Sequence, residues 1–415
     1  MPELDAGIHI TRLEGGPLVV TERSPLALSA ALGVWVDVGS RDESTSMQGV
    51  THFLEHLVFK GTERFDCDEI SEEIERFGGD INAFTTSEHT VYEAHLIAEG
   101  QPTALAILAD LACRPNLEQA DVTSECEVVL DELRGADDQA GSIADDLLNE
   151  ALFPGHPLGR RILGTEQHLL ALNSESIRAY HDDKYVASRM IVSAAGLVDH
   201  DQIVEAVAEN FDLSGAAGRA KRVPPPETAP LVIDEDRAGE QTHVLLAARI
   251  GDAQDPGRYA LTVLSHVLGG GLTSRLFREV REKRGLSYSV GSDLSLYTDA
   301  GVLLAYATCS PQRADETAEV IASEFKAMLT ERPVTETELE RTKAAIRGGF
   351  AIADESMRSR MHRIGRSALL QGEPASATQV VSRYEAVSMA DMDEVRERLG
   401  SAPLISVSVG PANLG

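Results

Sequence analysis

The sequence predicts an α+β protein: two homologous two-layer domains, each a mixed sheet with helices on one face. Three observations carry this. Apolar strand-like runs alternate with helical periodicity along the chain, their order repeats in two halves, and a Pro/Gly/Ala-rich seam separates the halves. The seam, LSGAAGRAKRVPPPETAPL, runs from Leu213 to Leu231. Its Pro224, Pro225 and Pro226 can continue neither a helix nor a central strand. The expected domains are residues 1–213 and 232–415, joined by a linker over 214–231.

In the first half, an apolar strand over 26–38 leads to a helix over 49–60 and a second helix over 68–77. Strand signals follow at 81–86 and 90–97, then a helix over 102–113. The second half repeats the order: a strand over 243–250, a helix over 259–268, three glycines (Gly269, Gly270, Gly271), and a helix over 273–283. Strand signals at 287–296 and 302–308 and a helix over 313–329 complete it. Each half closes on a strand that ends in glycine, MIVSAAG at 190–196 and LISVSVG at 404–410. The three glycines read as a turn and a close helix approach; no G-K-[ST] follows to make a phosphate cradle.

The chain has 415 residues and a formal net charge of −30. That charge opposes binding to nucleic acid or an anionic membrane and favours cationic ligands. No apolar run approaches the roughly 18 residues of a membrane span. The N-terminal stretch resembles neither a secretory signal nor a transit peptide. Cys67, Cys113, Cys126 and Cys309 are scattered without a C-x-x-C, as expected of thiols in a reducing compartment. A cytoplasmic protein that binds no membrane is the expectation.

The helix over 49–60 contains His52-Phe-Leu-Glu55-His56. Residues four apart share a helix face, so His52 and His56 can point at one metal ion. Glu55 is placed to reach a water at that metal. The order H-x-x-E-H is the inverted zincin motif, the kit of a metallohydrolase. A catalytic zinc takes three protein ligands and leaves a position for water, so another element must supply the third. The helical segment DVTSECEVVLDELR, 121–134, offers Glu125, Glu127 and Glu132, and Glu125 and Glu132 are two turns apart. Spacing alone does not choose among them. His89, His95, His156 and His181 lack metal-ligand spacing and read as structural.

VTHFLEHLVFKGT (50–62) resembles the active-site helix of the pitrilysin and mitochondrial-processing-peptidase family of zinc metallopeptidases. The run from Glu125 to Glu132 is similar to the family's E-x-x-V-V-x-x-E, which implies Glu132 as third ligand and Glu125 as its supporting acid. GGDINAFTTSEHTVYEAHL (78–96) resembles the family's N-A-x-T-S-x-E-x-T-x-Y edge strand, with Thr86 where Ser is usual. The resemblance implies that Asn82, Ala83, Phe84 and Thr85 pair with extended substrate. GGGLTSRLFREVREKRGLSYSV (269–290) resembles the second-half signature R-L-F-x-x-x-R-E-K-x-G-L-x-Y, implying Arg281 and Tyr288 as substrate-contacting residues. HPLGRRILGT (156–165) matches the stretch beyond the metal site.

The resemblance covers nearly the whole chain. It implies a zinc endopeptidase of the processing-peptidase type with one Zn²⁺ per chain held by His52, His56 and Glu132. Glu55 is then the general base, with Glu125, Arg281 and Tyr288 assisting. It also implies a chamber of four similar domains, hence a homodimer, acting on extended or unfolded peptides, and on basic ones if the acidic charge lines the chamber. The rival reading is a non-catalytic scaffold subunit of the same fold; the complete set of zinc-site residues argues against it.

Overall fold

The computed structural model of the chain describes residues 7–213 and 222–411, so residues 214–221 of the expected linker lie outside the described residues. The chain forms two compact units. The first takes Met1–Leu133, Arg160–Arg222 and Phe350–Gln379; the second takes Arg134–Gly159, Val223–Gly349 and Val380–Gly415. Each half of the sequence thus lends one segment to the unit built mainly from the other half.

The first unit holds a sheet of six strands: β1 (Ile8–Arg12), β2 (Leu18–Arg23), β3 (Ser29–Val36), β4 (Asp80–Thr85), β5 (Thr90–Ile97) and β6 (Met190–Gly196), in the order β1-β2-β6-β3-β5-β4. β2 and β6 run parallel and the other pairs antiparallel. β3 is buried from Ala30 to Val36 because both its faces are covered. Leu32, Val34 and Val36 enter the larger core, shared with helices that include Val50–Leu57 and Gln101–Cys113. Ala31 and Trp35 point the other way.

That opposite face is covered by helix Met357–Gln371. Its Met361, Ile364, Ala368 and Leu369 form an apolar stripe at helical spacing against Trp35, Val20 and Ile191. Each fully buried side chain of the Leu or Met class contributes about 1.5–3 kcal/mol. The helix approaches closely because Gly365 lies against the indole; a Cβ there would sit 2.3 Å from Trp35 Nε1. Arg360 and Arg363 fix its polar flank by closing on buried Glu22 at 3.0 and 2.6 Å.

The second unit holds β7 (Leu231–Asp236), β8 (Thr242–Ile250), β9 (Ser287–Leu296), β10 (Gly301–Cys309) and β11 (Leu404–Gly410), in the order β7-β11-β8-β10-β9. Only β7 and β11 are parallel. One face packs on helices Arg258–Gly269, Ala314–Leu329 and Met389–Gly400. The other packs on helix Ala140–Leu152 through Ile143, Ala144, Leu148 and Leu152.

The expected arrangement, a mixed sheet with its helical layer on one face, is present in both units. The reciprocal exchange of one helix adds the second cover. The stretch expected as a helix over 273–283 is wider than an α-helix: Phe277–Lys283 is a π-helix, which stacks the Arg281 guanidinium 4.9 Å from the Phe277 ring. Among the described residues no helix is long and apolar enough to cross a membrane.

Candidate metal centre

Helix Val50–Leu57 turns Val50, Phe53, Leu54 and Leu57 into the core, which leaves His52, Glu55 and His56 on its other flank. Gly49 starts the helix at φ +88°, and a Cβ there would lie 2.6 Å from the Leu163 carbonyl oxygen. No local side chain caps it. Instead the N–H groups of Gly49 and Thr51 donate to Glu43 Oε2 and Oε1 at 2.8 and 2.9 Å. Burial pushes the Glu43 carboxyl up to about 7, against the opposing pull of those N–H groups.

Helix Gln119–Asp137 buries Val122, Glu125, Val129 and Leu133, one stripe along its length. Glu125 falls within that stripe, and Glu132, two turns on, reaches out from its margin. Glu132 Oε2 lies 3.4 Å from His56 Nε2 and 3.7 Å from His52 Nε2. Ligand atoms of His52, His56 and Glu132 all lie within 4.8 Å of one another. Zn–N and Zn–O bonds of about 2.0–2.1 Å, set tetrahedrally, put neighbouring ligand atoms about 3.3 Å apart. The His₂Glu set therefore fits zinc. Glu127 is exposed and outside the group.

Burial, and then the neighbouring His56, push the His52 imidazole down to about 4, so at neutral pH it is the unprotonated ring that metal ligation needs. Its Nδ1 is buried without a hydrogen-bond partner among the described residues. His56 is held differently. Its Nδ1 lies 3.1 Å from Glu125 Oε1, and Lys60 Nζ lies 2.5 Å from Glu125 Oε2. Glu125 thus orients the His56 ring while Lys60 neutralises Glu125. Burial raises the Glu55 carboxyl above the usual carboxylate range; the Thr85 hydroxyl and His56 oppose that shift.

β4 is an edge strand, paired among the described residues only with β5. Asn82 is exposed, while Ala83, Phe84 and Thr85 are half-buried. Thr85 Oγ1 donates to Glu55 Oε2 at 2.5 Å, linking this strand to the motif helix. Arg281 and Tyr288 lie in the second unit and engage each other. The guanidinium is 4.1 Å from the centroid of the Tyr288 ring and donates to the Tyr288 carbonyl oxygen at 3.0 Å. The Tyr288 side chain is exposed. His89, His95, His156 and His181 bond to hydroxyl or carbonyl groups and, among the described residues, join no metal-binding group.

Sequence reasoning missed three participants: Lys60, the Thr85 side chain and Glu43. Lys60 stands four residues after His56, a spacing that signals a shared helix face. Strand alternation puts Thr85 on the same side as Ala83, but not visibly toward Glu55. No local capping pattern points to Glu43.

Residues 18–166 match the family model described as "Insulinase (Peptidase family M16)", and residues 171–346 match "Peptidase M16 inactive domain". A Mycobacterium tuberculosis protein named an uncharacterized zinc protease is 39% identical across 97% of this chain and 92% of its own length. The chain belongs to peptidase family M16. A Bacillus subtilis relative, also named an uncharacterized zinc protease, is 34% identical across 96% of this chain and 97% of its own. The fold matches a Helicobacter pylori protease with TM-score 0.90 at 22% identity, covering 97% and 99% of the two chains. It matches a Pseudomonas fluorescens structure described as a peptidase M16 inactive domain with TM-score 0.89 at 19% identity, covering 98% of each.

Proposed function

We propose that this M16 chain is a zinc endopeptidase that hydrolyses extended or unfolded peptides, one zinc ion per chain being held by His52, His56 and Glu132. The observation that carries the reading is the convergence of those three side chains beside a Glu55 that is itself bonded to an open-edged strand. Zinc in that set supplies Lewis-acid chemistry, polarising a carbonyl and making water acidic enough to ionise near neutral pH. Glu55 takes the proton of the attacking water and returns it to the leaving amine as the C–N bond breaks. Glu125 and Lys60 keep His56 oriented.

Asn82, Ala83, Phe84 and Thr85 offer a strand edge, and backbone pairing to an edge selects for extended conformation rather than for one sequence. Folded proteins present few such segments. Arg281 and Tyr288 are further proposed substrate contacts, offering a cation for carbonyl oxygens and a phenol for developing negative charge. In this reading the chain acts as a homodimer within the cytoplasm and prefers basic peptides, in keeping with its net charge of −30.

The test is a mixed peptide library incubated with the wild-type chain and with Glu55→Gln, cleavage sites being read by mass spectrometry. The expected result is cleavage of unstructured peptides by the wild type and none by the variant, although both bind zinc. Equal cleavage by the two proteins sinks the assignment of Glu55.

A further inference from the structure

We infer that Thr85 positions the Glu55 carboxylate through its side chain, so that one residue of the substrate-pairing strand also sets the aim of the base. The inference rests on the peptidase reading and adds a residue to it. Thr85 Oγ1 donates to Glu55 Oε2 at 2.5 Å, and β4 carries Thr85 as its last residue. A carboxylate can rotate about its terminal torsion, which is broad and roughly two-fold. The threonine hydroxyl holds one oxygen, which leaves Oε1 to accept the water proton and later to release it to the amine nitrogen. Thr85 is β-branched and lies on a strand bonded to β5 through Thr90, so its hydroxyl has little freedom to swing away.

The duplicated half shows what is particular to this pair. On helix Arg258–Gly269, Ser265 precedes His266 as Glu55 precedes His56, and Thr262 stands in the place of His52. Ser265 Oγ lies 3.1 Å from Ser292 Oγ on β9, the edge strand corresponding to β4. A hydroxyl tie between this helix and this edge strand therefore occurs in both halves. Only in the first does the strand hydroxyl donate to a carboxylate.

A substrate strand laid along β4 would restrain the backbone of the residue that aims Glu55. Pairing and base orientation then act as one event, which is how binding remote from the reacting atoms raises turnover rather than affinity alone.

The experiment uses the full-length zinc-loaded chain with Thr85→Val, which keeps the shape and removes the donor, and Thr85→Ser, which restores it. Thr85→Val is expected to lower kcat about tenfold to a hundredfold with little change in KM. Zinc affinity by chelator competition and the melting temperature should stay at wild-type values, and Thr85→Ser should recover most of kcat. In a Glu55→Gln background, Thr85→Val should leave peptide affinity unaltered. Crystal structures of both Thr85 variants add a readout independent of cleavage: the Glu55 carboxylate leaves its position in Thr85→Val and returns in Thr85→Ser. A carboxylate that stays in place in Thr85→Val, or a kcat equal to wild type, overturns the inference. So does a loss confined to melting temperature or zinc affinity, which marks a purely structural tie. If the wild-type chain cleaves no peptide, the peptidase reading fails, and the carboxylate position still decides whether Thr85 holds Glu55.

Discussion

Glu125→Gln isolates the support given to His56, one of the three proposed zinc ligands. Glu125 is buried, with Oε1 3.1 Å from His56 Nδ1 and Oε2 2.5 Å from Lys60 Nζ. Glutamine fits the same space but brings no charge, and its amide must turn an N–H group toward either His56 or Lys60. A hydrogen bond to a charged group contributes about 1.5–3 kcal/mol. Loss of an outer partner of a metal-bound histidine lowers metal affinity roughly 10–100-fold, or about 1.4–2.8 kcal/mol. The two routes agree, so Glu125→Gln is expected to weaken zinc binding by between one and two orders of magnitude. The assay is competition for zinc against a chromophoric chelator at pH 7, with His52→Ala as the reference for loss of a direct ligand. His52 supplies a contrast, since its Nδ1 has no partner to remove among the described residues. Zinc affinity for Glu125→Gln within about twofold of wild type would refute the reasoning that His56 depends on an outer carboxylate.

Gly49→Ala should destabilise the chain by about 1–3 kcal/mol and weaken zinc binding with it, because the residue sits at φ +88° against the Leu163 carbonyl. An unchanged melting temperature contradicts this. Glu43 predicts a pH dependence. Its folded-state pKa, about 7, lies above the ordinary 4.5, so its stabilising contribution is complete below about pH 4.5 and is lost as pH rises through about 7. The span amounts to about 3 kcal/mol. The stability of the wild type minus that of Glu43→Gln should accordingly fall between pH 4.5 and 8; a flat difference refutes it. Arg363→Met leaves buried Glu22 to Arg360, 3.0 Å away, and should cost about 1.5–3 kcal/mol, read as a lower melting temperature. Protection from hydrogen exchange should fall first in helix Met357–Gln371, and uniform loss across the chain argues against a local anchor.

Much of this architecture is visible in the residues because it rests on periodicity. β5, β6, β9 and β11 begin and end where the apolar pattern and the flanking turn residues do. β7 escaped notice because its segment, LVIDED, is largely exposed and has no alternation to read. The exchanged helices were hidden for a different reason. The stripe Met361, Ile364, Ala368, Leu369 says that a helix has an apolar face, but not which sheet that face will cover. At the metal centre, His52, Glu55 and His56 are legible from the four-residue repeat of one helix. Glu132 needed either the family likeness or the fold, since no spacing rule ties two separate helices. Thr85 reaches Glu55 from a segment 30 residues away, and Glu43 caps the motif helix from six residues before Gly49, beyond the three-residue reach of a local capping pattern, so neither contact can be read from spacing.

The most direct test of the account strips the chain of metal with a chelator and titrates zinc back while following cleavage of an unstructured peptide. The account predicts that cleavage disappears on stripping and returns at one zinc per chain. It further predicts that Glu55→Gln binds that zinc without cleaving, and that His52→Ala neither binds nor cleaves. Cleavage that survives stripping, or full restoration in His52→Ala, would contradict it.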